Sequence, residues 1–330
     1  MDVAKAGNVM PDIICKNELI YRFKTSYNIS YNHEYFCCSG RGVVNLYSVK
    51  NGQLKTTIRG IRHPVYTRFI DDKTLLVKNT LGEYHTIDIQ TQETIRKYKL
   101  TSRDAQDSKF ALTPDNKYIV DFLYVFPREK LIILSANFEG HKLWDLEHAT
   151  VGQVFFDNDK SLFYIATNCR PEPDQINRAD AHYTAFYSLK YPFDGTPPQK
   201  MEIPRKVAVP EWNTPQYIDF NNKFVIKRGG GILLYDVETN ETEEFISPSQ
   251  NYGNYINRIK WSKNGMYIAA VGNKKVLIFD VTSRSCIKEY EVEYGCFVDF
   301  YDNDTKLLIG TWKNGYCVEL HSAKTSSQKN

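Results

Sequence analysis

Apolar residues recur along the chain in short alternating runs separated by turn residues. VYTRFI (65–70), TLLVKN (74–79), EYHTIDI (83–89) and TIRKYKL (94–100) follow one another in this way. NRIKWS (257–262), MYIAAVG (266–272), KVLIFDV (275–281) and CIKEYEVE (286–293) repeat the order. Alternation at period two, with β-branched and aromatic residues inside and Gly, Asn, Asp or Lys between, predicts half-buried strands. No long stretch keeps a 3.6-residue period, so almost no helix is expected.

One pattern closes the third strand of each group: apolar residues, then a polar residue, then an aliphatic one. It reads NLYSV (45–49), HTIDI (85–89), KLWDL (142–146), AFYSL (185–189), LLYDV (233–237), LIFDV (277–281) and YCVEL (316–320). The polar anchors are Ser48, Asp88, Asp145, Ser188, Asp236, Asp280 and Glu319, spaced by 40, 57, 43, 48, 44 and 39 residues. Periods of about 40–50 residues belong to four-stranded propeller blades. Each anchor Asp begins the turn into the fourth strand, where its carboxylate can accept backbone N–H bonds.

The seventh unit tests the reading. CFVDFY, KLLIGTW and GYCVELH supply three strands before the chain turns polar. The unassigned N-terminal run ELIYRFKT (18–25) is the missing fourth, and its pairing there closes the ring and removes an open sheet edge. The chain thus resembles a WD40-type seven-bladed β-propeller over residues 18–322, an all-β fold of four-stranded blades. Residues 1–17 form a tail before it, and 323–330 are expected to be disordered. The signature dipeptide is literal at Trp144-Asp145 and degenerate at Tyr235-Asp236 and Phe279-Asp280. Gly60 and His63 are nearest to the Gly-His of that family, and its hydrogen-bond tetrad does not carry over.

Irregularities mark the third and fourth units. The 57-residue step holds an extra segment, TSRDAQDSKFALTPDNKY (101–118). With it set aside, strand a of the third blade is VDFLYVF (120–126) and strand c is KLWDL. Only EHAT then separates strand c from VGQVFF of the next blade, leaving no room for strand d, so KFALT is expected to cover the bare edge. Long loops follow at 168–182, 190–200, 203–215 and 247–255, and loops of such length in a compact domain are often functional.

Composition narrows the function. Of 330 residues, 42% are hydrophobic and 25% charged, and the net charge of +3 argues for no global field toward nucleic acid. No apolar run reaches membrane-spanning length and no signal h-region opens the chain, so a cytoplasmic protein is expected. The seven cysteines include no CxxC and read as reduced, small hydrophobes, with Cys37 and Cys38 on opposite faces of one strand. The histidines form no HxH or HExxH, and no GxSxG is present, so no metal, cofactor or serine nucleophile is expected.

Local charge says more. On a propeller the d–a and b–c loops emerge on one face, the top. The b–c tips read SGRG, KNTLG, FEGHK, NCRP, KRGGG, GNKK and WKNG, each with Lys or Arg. Arg59, Arg62, Arg205 and Lys206 join them from d–a loops. Bottom turns carry Asp71, Asp72, Glu129, Asp157, Asp159, Asp302, Asp304, Glu238, Glu241 and Glu243. A ring of cations focuses field on an anionic partner. The residues expected to bind are Arg41, Lys78, Arg170, Lys227, Arg228, Lys274 and Trp312. The expected function is a non-catalytic scaffold, alone as a monomer or as a subunit of a complex, holding an acidic segment of another protein. Nucleic acid and membrane are disfavoured. The alternative is a hydrolase or lyase at the channel mouth, carried by Asp219, Arg258 and Asp299, with charges alternating in sign on consecutive blades; mutual pairing fits that alternation better than acid–base chemistry.

Overall fold

The computed structural model describes residues 18–24, 28–40, 42–99, 110–125, 128–146, 149–157, 159–169, 183–203, 216–217, 223–228, 231–247 and 256–320. They form seven four-stranded antiparallel sheets and, among themselves, no helix. The first strand, β1 (Leu19–Lys24), belongs to the last blade. Blade 1 is β2 (Asn28–Tyr31), β3 (Tyr35–Gly40), β4 (Val43–Ser48) and β5 (Leu54–Ile58). Blade 2 is β6 (Pro64–Phe69), β7 (Thr74–Asn79), β8 (Glu83–Asp88) and β9 (Thr94–Lys99). Blade 3 is β10 (Ala111–Leu112), β11 (Tyr118–Val125), β12 (Arg128–Ser135) and β13 (His141–Asp145). Blade 4 is β14 (Ala149–Asp157), β15 (Leu162–Cys169), β16 (Tyr183–Lys190) and β17 (Gln199–Met201). Blade 5 is β18 (Gln216–Tyr217), β19 (Lys223–Arg228), β20 (Gly231–Asp236) and β21 (Thr242–Ile246). Blade 6 is β22 (Ile256–Trp261), β23 (Tyr267–Gly272), β24 (Lys275–Asp280) and β25 (Cys286–Glu291). Blade 7 is β26 (Gly295–Tyr301), β27 (Lys306–Thr311) and β28 (Asn314–Glu319), with β1 outermost.

The hydrophobic core is divided among the seams between blades. In β23, β24 and β27 every interior residue is buried, because each middle strand sends alternate side chains to two neighbouring seams. Val271, Val276 and Ile278 face Val298 and Ile309 of blade 7, whereas Ile268, Ala270, Leu277 and Phe279 face Val225 and Leu234 of blade 5. Cys37 and Cys38 divide as expected, one against blade 2 and the other against blade 7. Outer strands do not share this burial: in β9 (TIRKYK) only Tyr98 is sheltered, and its cations blunt an exposed edge.

The ring closes where the N-terminal run was expected to pair. β1 lies antiparallel to β28, with Phe23 opposite Gly315. A Cβ at residue 315 would stand 1.9 Å from the Phe23 ring, so glycine there admits the aromatic side chain. Phe23 then packs on Phe36 and Tyr47 of blade 1, and the Tyr21 hydroxyl donates to the Val49 carbonyl at 3.1 Å. Residues 1–17 and 321–330 lie outside the described residues.

The anchor aspartates behave as turn formers. Asp88 accepts from the backbone N–H of Gln90 and Thr91, Asp236 from Glu238 and Thr239, and Asp280 from Ser283. These bonds hold the Asp280 carboxyl below its ordinary range.

Blade 3 departs from the expected register. The segment VDFLYVF belongs to strand b, β11, and KFALT supplies the innermost strand, β10, rather than covering an outer edge. HKLWD is then the fourth strand, β13, paired to β12 alone. No strand is missing. The physical reason is that Phe110 is buried with Leu76 and Tyr84 of blade 2 and Ile119 and Ile132 of blade 3, so the insertion carries an apolar residue that this seam needs. The FEGHK tip therefore moves to the bottom face and Glu129, in the b–c hairpin, to the top. On the bottom, the Lys142 ammonium bonds to the Gly195 carbonyl at 3.0 Å and stands 4.7 Å from the Trp144 ring centroid.

Candidate interaction face and central channel

Of the seven residues expected on the top face, the structure brings some together and separates others. Arg41 and Arg170 lie outside the described residues, as do the side chains of Lys227 and Arg228, whose backbone ends β19. Lys274 is exposed in the β23–β24 turn. Trp312, in the β27–β28 turn, is 52% exposed.

Lys78 is the clear correction. It is buried and forms a 2.6 Å ion pair with Asp121, itself buried in β11 of the next blade. The Tyr84 hydroxyl donates to the same carboxylate oxygen. Burial and then the neighbouring Asp121 charge push the Tyr84 phenol well above its ordinary range. The cause is register. Lys78 sits opposite Tyr84 inside the hairpin ladder, and the turn begins two residues later, at Thr80. A lysine on the ladder faces the seam, and a buried cation needs a partner.

Other top cations are also neutralised locally. Lys97 lies 3.1 Å from Glu83, Lys275 2.5 Å from Glu289, and Lys313 2.8 Å from Glu293. Arg59, Arg62 and Lys274 are exposed and make no ion pair among the described residues. Arg62 and His63 line a cavity of about 870 Å³ at the top of the blade 1–blade 2 seam. Its floor includes Ser39, Gly40, Pro64 and Tyr66.

The second top-face feature is aromatic. Trp312 stacks on Tyr294, with ring centroids 5.3 Å apart and planes 20° from parallel. Both rings are about half exposed, at 52% and 47%. Backbone bonds pin them: Trp312 N–H donates to the Tyr294 carbonyl at 3.2 Å, and Tyr294 N–H to the Asn273 carbonyl at 2.6 Å. Lys274 is tied to the same corner, its carbonyl accepting from Val292 N–H at 2.8 Å. Tyr294 holds a positive φ of 55°. A left-handed conformation is unusual for a tyrosine and is maintained here by those surrounding bonds. Gly295 follows it, and a Cβ there would come within 2.5 Å of the Gly272 carbonyl oxygen. Tyr294 escaped the sequence reading; the signal was an aromatic residue before a glycine at a d–a turn, EYG.

The channel is layered by strand register. In every blade one residue of strand a pairs with the third residue of strand b. These are Ser30, Arg68, Ala111, Phe155, Gln216, Lys260 and Asp299. The expected trio of Asp219, Arg258 and Asp299 is therefore not one layer. Gln216, not Asp219, stands level with Asp299, and Asp219 lies outside the described residues. Arg258 pairs with Val271, two residues nearer the top, at the level of Tyr66 and Phe297. Lys260 takes the expected place of Arg258 and lies 3.4 Å from Asp299. Equivalent β-bulges open β6, β22 and β26, so the three strands keep a common register beyond them. The Arg258 guanidinium stands over the Phe297 ring at 4.4 Å.

Among the described residues no helix is long and apolar enough to cross a membrane, and no group of three or more His, Cys, Asp or Glu could hold a metal ion. The architecture is that of a seven-bladed β-propeller, consistent with the WD40-type arrangement. No protein-family model matches the sequence, and no curated protein matches it.

Proposed function

We propose that this propeller is a non-catalytic protein-interaction scaffold whose top face receives an acidic segment of another protein. The observation that carries the reading is the stacked, backbone-pinned Tyr294–Trp312 pair beside Lys274. Tryptophan and tyrosine dominate binding hot spots because large rigid rings bury much area at little entropic cost. Such rings rest in water on a monomer only at a free-energy cost, and a partner removes it. Arg59, Arg62 and Lys274 add cations without intramolecular partners among the described residues, which favours an acidic chain and raises its association rate at low salt. Lys78 has no part in this surface.

The test is capture from native lysate, followed by affinity measurement on the protein so identified. Wild type is compared with Trp312→Ala and with a Lys274→Glu, Arg59→Glu, Arg62→Glu variant. Loss of one protein from both variants, and its weakening in high salt, is the expected result. Equal retention by all three removes the top face as the docking surface.

A further inference from the structure

Trp312 belongs to blade 7, and the cavity of about 870 Å³ lies on the far side of blade 1 from it, at the top of the blade 1–blade 2 seam. Ile61, Pro64, Val65 and Tyr66 give this cavity apolar walls, the first two buried and the others half-buried. Gly40, Gly42 and Gly60 add backbone without side chains, and a Cβ at any of the three would meet nothing within 4 Å. Bonds across the seam hold the walls in place. The Ser39 hydroxyl of blade 1 donates to the Val65 carbonyl of blade 2 at 2.5 Å, and the Thr80 N–H donates to the His63 carbonyl at 3.1 Å. The cavity is therefore preformed, and its volume lies in the range of about 300–1,000 Å³ typical of binding clefts.

Charge selects the occupant. Arg62 and His63 line the cavity and are exposed, Arg59 is exposed in the same loop, and among the described residues no Asp or Glu lines it. The lining runs from that rim loop to Tyr66 on the innermost strand, level with Phe297, so the site is long enough for an extended chain. We propose that this cavity receives an apolar side chain of the docked acidic segment, a leucine or aromatic residue with carboxylates on either side of it. The proposal deepens the scaffold reading and takes the acidic partner from it. A purely acidic chain would leave the apolar walls uncovered, and a purely apolar one would leave Arg59 and Arg62 unused. An apolar residue between carboxylates satisfies both, since guanidinium groups bind carboxylates through paired N–H donors.

Fluorescence anisotropy of the full chain with labelled peptides Glu-Asp-X-Asp-Glu, where X is Leu, Phe, Trp or Ala, tests this. Saturable binding tighter than about 1 mM is expected for at least one of the first three, and binding about tenfold weaker or more for Ala. The amide analogue Gln-Asn-X-Asn-Gln and the Arg62→Glu variant should each lose about tenfold or more. Gly40→Leu places a side chain in the open space beside Gly40 and should abolish binding, with the urea midpoint as the check on folding. If Gly40→Leu does not fold, Arg62→Glu and the Ala peptide decide together. No saturable binding, equal affinity for the Ala peptide, or wild-type affinity in a folded Gly40→Leu overturns the proposal. Binding of N-acetyl-leucine as tight as that of the pentapeptide also overturns it and makes the cavity a small-molecule site. The scaffold reading fails separately. A lysate partner lost from Trp312→Ala but kept by Gly40→Leu supports that reading and sinks this inference, whereas peptide binding that needs Gly40 and Arg62 but ignores Trp312 upholds the cavity without the aromatic corner.

Discussion

Two corners of the top face contain the same residue types and put them to opposite use. At the blade 2–blade 3 seam, Lys78 and Tyr84 are buried together on Asp121. At the blade 6–blade 7 rim, Lys274 stands exposed beside the half-exposed rings of Tyr294 and Trp312. Each lysine belongs to a basic hairpin tip. The difference lies in position on the ladder: residue 78 is paired within the hairpin, and residue 274 is in the turn beyond β23. A lysine one or two positions inside a hairpin is a seam residue that must find a carboxylate. One in the turn is available to a partner. Lys227 pairs as the fifth residue of β19, as Lys78 does in β7, so its backbone belongs with the first kind.

The strongest way to break the comparison is Asp121→Ala. It strands the Lys78 charge in a dry seam and should cost about 3–5 kcal/mol, read as a lower urea midpoint. Replacing Lys78, Tyr84 and Asp121 together by Met, Phe and Leu should recover most of that loss, because no buried charge or hydroxyl then lacks a partner. If Asp121→Ala unfolds at the wild-type midpoint, the buried pair has no weight in the fold. At the opposite corner, Trp312→Ala should weaken partner binding by about 2 kcal/mol or more, roughly thirtyfold, while leaving the urea midpoint nearly unchanged.

A smaller effect distinguishes the corners by pH. Burial and the nearby Lys97 hold His85 below the ordinary histidine range, against the opposite pull of Glu83. The unfolded chain therefore binds this proton at higher pH than the folded one. Its contribution is full above about pH 6.5 and is lost as pH falls through and below that value. Urea midpoints should fall on acidification across this window, and His85→Gln should flatten the slope. The smallest change expected is in Lys274→Ala, whose stability should stay within about 0.5 kcal/mol of wild type. A larger loss would show that Lys274 is held in the structure much as Lys78 is.

The sequence made most of the architecture legible because the propeller repeats one physical requirement. Middle strands must be apolar on both faces, and outer strands and turns must not be. LLYDV and LIFDV satisfy that rule wherever they stand, and Asp236 and Asp280 close their turns as read. The missing fourth strand of the last blade followed from counting, with Phe23 and Gly315 supplying its fit. KLWDL misled because a third and a fourth strand can carry the same local pattern. Its place was decided by Phe110 and Ala111 packing into the seams on the two sides of blade 3.

The candidate sites were legible only in residue type. The cations at hairpin tips, the exposed Trp312 and the charged positions of the innermost strands could all be read from the chain. Whether a given lysine met solvent, a carboxylate or the channel depended on one-residue differences in register. Strand pairing puts Lys260, not Arg258, level with Asp299, because NRIKWS and CFVDFY align residue for residue from Arg258 and Phe297 onward. The stacking of Tyr294 on Trp312 joins residues from two blades' loops. Periodicity is a property of a single strand and survives in sequence. Register between strands, and the meeting of loops from neighbouring blades, are settled by packing across seams, which only the closed ring brings together.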